Sequence, residues 1–108
     1  MPKYLVRGNY TPEGLKGLMK DGGTGRRAAL DKAMKSLGGK LESLYFALGD
    51  SDVYVIVDLP DAVSVATVAM TAGASGAVSG LSSCQLLTPE DLDASIKKTV
   101  NYKAPGAK

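Results

Sequence analysis

The chain has 108 residues, 44% of them hydrophobic and 22% charged, the profile of one globular domain. Thirteen basic residues against eleven acidic ones leave a net charge of +2, and the lysines are scattered rather than clustered, which argues against a phosphate-backbone surface. Histidine is absent and Cys84 is the one cysteine, so His-based zinc sites, Ser-His-Asp and Cys-His nucleophiles, Cys-x-x-Cys pairs and intrachain disulfides are all excluded.

No apolar run reaches the roughly 18–20 residues of a membrane span. The opening residues Met1 to Leu5 lack the apolar stretch of a signal peptide. With a lone thiol, these features lead us to expect a cytoplasmic protein without membrane or nucleic-acid partners. No cofactor is expected, and any catalysis must rest on Asp, Glu, Tyr, Lys, Arg or Ser.

In chain order, residues 3–9 read as a strand rich in β-formers. Thr11, Pro12 and Glu13 then give an N-cap, a proline at the first helical position and an acid near the positive end of the dipole. Leu15, Leu18 and Met19 supply the apolar face of a short helix. The segment Asp21-Gly22-Gly23-Thr24-Gly25 predicts a break. A second helix is expected from about Arg26 to Leu37, with Ala29, Leu30, Ala33, Met34 and Leu37 at helical spacing and Gly38-Gly39 as its stop.

Residues 40–48 alternate as a strand, with Leu41, Ser43, Tyr45 and Ala47 on one face and Glu42, Leu44, Phe46 and Leu48 on the other. A turn at 49–52 leads into Val53-Tyr54-Val55-Ile56-Val57, and so short a link implies an antiparallel hairpin. Asp61 caps a small, apolar helix over about 62–72. A last strand follows at roughly 78–87, and Thr88-Pro89-Glu90 opens a terminal helix reaching about Val100. Residues 101–108 read as a flexible tail.

This order predicts an α+β, ferredoxin-like βαββαβ sandwich with an extra C-terminal helix, spanning residues 1–100 as one domain. The two strands of the hairpin carry apolar or aromatic side chains on both faces, while helices of one chain cover only one. Self-association through the sheet, making a homo-oligomer, is therefore expected.

The ordered stretches Tyr4–Gly14, Leu37–Tyr45, Leu48–Asp61 and Leu86–Glu90 make the chain resemble the GYD-domain family, small bacterial and archaeal proteins of the dimeric α/β-barrel type. Gly49 and Asp52 match the glycine and aspartate of the motif that names the family, while Ser51 occupies the place of its tyrosine. The resemblance implies a ferredoxin-like fold and sheet-to-sheet oligomers, but no activity.

Several residues are candidates for a ligand site. Gly22 to Arg27 could present backbone N–H groups and the guanidinia of Arg26 and Arg27 to an anion, or could be a plain connector with Thr24 as a cap. Tyr4, Tyr10, Tyr45 and Tyr54 could line a pocket between sheet and helices, or pack at an interface. Asp50 and Asp52 could pair as base and orienting group, or simply shape a turn. Cys84, inside a strand, reads as a buried, inert thiol. Two functions stay open: a non-catalytic oligomeric domain binding a small molecule or partner, and a cofactor-independent isomerase or monooxygenase acting on a small organic substrate.

Overall fold

The structure, a computed structural model, describes all 108 residues. Strands β1 (Lys3–Tyr10), β2 (Lys40–Phe46), β3 (Val53–Asp58) and β4 (Val78–Leu86) form one antiparallel sheet in the order β2-β3-β1-β4. Helices α1 (Pro12–Ser36) and α2 (Ala62–Ala74) lie on one face, and α3 (Pro89–Lys97) follows β4. The arrangement is α+β and compatible with a ferredoxin-like sandwich.

All three expected N-caps form. Thr11 Oγ1 accepts from the amide of Gly14, Asp61 Oδ1 from that of Ser64, and Thr88 closes a reciprocal capping box with Asp91. Thr11 also anchors α1 tertiarily. Its hydroxyl donates to Gly76 O at 2.6 Å and its amide to Ala77 O at 3.0 Å. The helix begins so close to the α2–β4 turn that a Cβ on Gly14 would collide with the Ala77 carbonyl.

That approach sets the phase of α1 and corrects one expectation. Gly14 is buried and Leu18 half-buried, while Leu15 and Met19 project into solvent. The expected break between two helices shrinks to one residue, Gly22, with φ 76° and ψ 168°, a conformation open essentially to glycine alone. Gly23, Thr24 and Gly25 are helical, so α1 is bent rather than interrupted by a loop.

A second correction concerns β2. A register shift between Leu41 and Ser43 turns Leu41 onto the same face as Leu44 and Phe46: Leu41 pairs with Val57, Leu44 with Val55 and Phe46 with Val53. Ser43 and Tyr45 are thereby left on the opposite face, with Ile56 and Tyr54. Strict alternation through residues 40–48 would have split Leu41 from Leu44.

The helix-covered face holds the core of Tyr4, Met34, Val57, Leu59 and Val65. Val6, Leu37, Leu41, Val55 and Val68 pack around it. The other face is bare. It presents Leu5 and Arg7 from β1, Tyr45 from β2, Tyr54 and Ile56 from β3, and Ser82, Cys84 and Leu86 from β4, as the pairings Leu5–Ile56, Leu5–Cys84 and Tyr45–Tyr54 establish. Cys84 is consequently exposed, not buried, because no helix covers that side of the edge strand.

Only ten of the 108 residues are buried. The accessible surface is 7605 Å², whereas a compact chain of 11.2 kDa exposes about 5,700 Å². The radius of gyration is 17.2 Å against about 13 Å for a compact domain of this length. Part of the difference is the bare sheet face. Another part is α3, which has no buried residue, with the exposed residues 98–108 that follow it.

Candidate functional site

Small side chains decide where space opens in this molecule. The inner side of α2 carries Val65, Val68, Ala69 and Ala72, and the first half of α1 carries Gly14 and Gly17, so the two helices leave a groove of about 570 Å³ between them. Beneath it, against the sheet, lies a cavity of about 70 Å³. Fifteen of the seventeen residues around that cavity are hydrophobic, which makes its floor dry. Groove and cavity share six residues, Tyr10, Arg26, Leu30, Met34, Val68 and Ala72, and so form one cleft that runs from the surface down to the sheet.

Tyr10 and Arg26 are the polar groups at the level where groove meets cavity. Tyr10, from the end of β1, sets its ring 6.5 Å from that of Phe46. Arg26 is half-buried and makes no ion pair. Two acids, Glu13 and Asp21, line the outer groove only.

The remaining candidates lie elsewhere. Arg27, one residue on, turns to a separate, more polar groove between α1 and β2, which Tyr45 and Asp31 also line. There the Lys35 ammonium, 2.8 Å from Asp31, holds that carboxyl below the usual range, helped by the Leu41 amide. Arg26 and Arg27 therefore do not act together on one anion. Tyr45 and Tyr54 face each other on the bare side of the sheet, and Tyr4 is in the core. The four tyrosines do not line one pocket.

Asp52 has a structural task. Its Oδ2 accepts from the Tyr10 amide at 3.0 Å, and its own amide donates to Gly8 O at 2.9 Å and lies 3.1 Å from Asn9 Oδ1. Its carbonyl accepts from the amide of Ala47. These bonds lash the β2–β3 turn to the end of β1 and so place Tyr10 at the cleft. Ser51 is buried and accepts from Arg7 Nη1 at 3.3 Å. Asp50 is exposed and stands in the turn.

At the opposite corner, Asp58 receives Lys3 at 2.9 Å and Lys40 at 3.7 Å, with Glu42 3.2 Å from Lys3. The hydrogen bond from Lys3 to Asp58, then that to Glu42, raises the pKa of the lysine. No three of the Asp, Glu and Cys side chains gather closely enough to hold a metal ion.

What sequence reasoning missed is the groove between α1 and α2. Its signal was the small-residue composition of α2, together with Gly14 and Gly17 on α1, which reads as helix packing until the helices are seen to stand apart.

No helix is long and apolar enough to cross a membrane. Neither the curated proteins nor the solved structures offer a match to this chain. The model of the GYD domain matches residues 4–96, from β1 into α3. With nearly the whole folded region covered, the chain belongs to the GYD domain family.

Proposed function

We propose that this protein is a homodimer, closed bare face to bare face, that binds a small apolar molecule in the cleft between α1, α2 and the sheet without chemically altering it. The observation that carries the binding half is the cleft itself, wide at the surface and dry at the floor, with Tyr10 and Arg26 where the two meet. A few polar groups above an apolar floor orient a ligand; they do not by themselves make a reaction.

Binding is favoured over turnover because the groups able to move protons do not converge on the cavity: the two acids of the groove, Glu13 and Asp21, line only its outer part. Asp52 is committed to the Tyr10 amide, Tyr45 and Tyr54 lie on the other face, and Arg27 serves a different groove. The dimer half rests on the bare face, where Leu5, Ile56, Tyr54 and Tyr45 form a contiguous apolar and aromatic surface.

Native mass spectrometry of the protein as purified from its source tests the binding half. A retained small-molecule adduct, lost when Ala72→Phe fills the cleft, is the expected result. Equal retention by the Ala72→Phe variant would place the ligand elsewhere.

A further inference from the structure

The C-terminal helix turns its wrong side to its own chain. Asp91, Ala94, Ser95 and Lys98 line the groove that separates α3 from Met1–Lys3 and from the end of β4. Leu92 and Ile96, one helical turn apart, are 54% and 71% exposed, and Val100, in the extended chain past the end of the helix, is 83% exposed. Tyr102 is exposed beyond them. A capping box and Pro89 fix the start of this helix, yet nine residues are too few to hold a helix in water unaided, so it needs a surface to pack on.

We infer that α3 and the residues up to Tyr102 are an arm that packs its Leu92–Ile96 stripe, with Val100 beyond it, on a second copy of this chain, each copy embracing the other. This inference rests on the dimer proposed above and adds to it where the interface extends. Three observations select a second copy as occupant. The chain runs from Leu86, on the bare sheet face, through the exposed Leu87 directly into α3, so one partner can cover both. The chain exposes 7605 Å², about 1,900 Å² more than a compact chain of its mass, and obligate dimers bury roughly 1,000–2,500 Å² on each partner. The excess falls within that range. Two-fold symmetry, finally, makes exchange of an arm reciprocal, so each stripe finds an equivalent site.

The test uses full-length chains. One copy carries 15N; the other carries a nitroxide at Lys97→Cys, off the stripe, in a Cys84→Ser background. The two are refolded together to form mixed dimers, and their mass is measured in the same samples. Broadening of amide signals in the 15N copy by the other chain's nitroxide is expected. In addition, Leu92→Glu with Ile96→Glu should weaken the dimer by about 100-fold or more while the sheet retains its circular dichroism. Dimeric mass with broadening only when label and isotope share a chain would overturn the arm and leave the dimer standing. The arm is equally overturned if the double variant dimerises as the parent does. Monomeric mass would overturn both readings.

Discussion

Ile56 and Val55 are adjacent on β3 and point to opposite sides of the sheet, so a carboxylate at each separates interface from core. Val55 pairs with Val6 and packs around the core under the helices. Ile56 sits between Leu5 and Ser43, near the middle of the bare face. Withdrawing an isoleucine side chain from a buried position costs about 1.5–3 kcal/mol. Two-fold symmetry counts that loss twice, so Ile56→Asp should cost the dimer roughly 3–6 kcal/mol before any desolvation of the new charge. At about 1.4 kcal/mol per tenfold, the dissociation constant rises roughly 10²- to 10⁴-fold. Sedimentation velocity across a dilution series reads this directly, and thermal unfolding monitors the monomer fold. Ile56→Asp should sediment as a folded monomer where the parent is dimeric, whereas Val55→Asp should lose the fold itself. A dimer that tolerates Ile56→Asp would refute the placing of the interface on this face.

Gly14→Ala drives a Cβ into the Ala77 carbonyl and should cost about 1–3 kcal/mol in urea unfolding. Gly17→Ala, on the same helix with open space before it, should instead gain up to about 1 kcal/mol. Thr11→Ala removes both the cap and the bond to Gly76 and should cost about 1 kcal/mol. Asp61, held low by the Ser64 amide and then its hydroxyl, and Asp31, held low by Lys35, both have folded pKa values below their unfolded ones. Their stabilisation is complete above the unfolded carboxylate value near 4 and is lost as the pH falls through the folded values. The acid limb of an unfolding-versus-pH curve should flatten in Asp61→Asn. Cys84 should react slowly with a thiol reagent in the dimer and quickly in Ile56→Asp, because the bare face is then open.

The order of elements was legible because its punctuation is chemical. Thr11, Asp61 and Thr88 announce helix starts through the hydrogen bonds they make, and the short link between β2 and β3 admits little but a hairpin. Side-chain direction was less legible wherever one residue shifts the phase. The β2 register shift places Leu41 with Leu44, and a period-two reading has no signal for it. The inward side of α1 follows from the contact of Gly14 with Ala77, sixty-three residues away in sequence, and not from the hydrophobic spacing of Leu15, Leu18 and Met19. Of the site, Tyr10 and Arg26 were named among several candidates. Their selection had to await the lashing of Asp52 to β1 and the gap between the helices, both tertiary facts.

The central claim is that the bare sheet face is covered by a second copy. Sedimentation equilibrium of the unmodified full-length chain at micromolar concentration tests it most directly. The expected mass is twice 11.2 kDa. A single species of 11.2 kDa across the concentration range would contradict it.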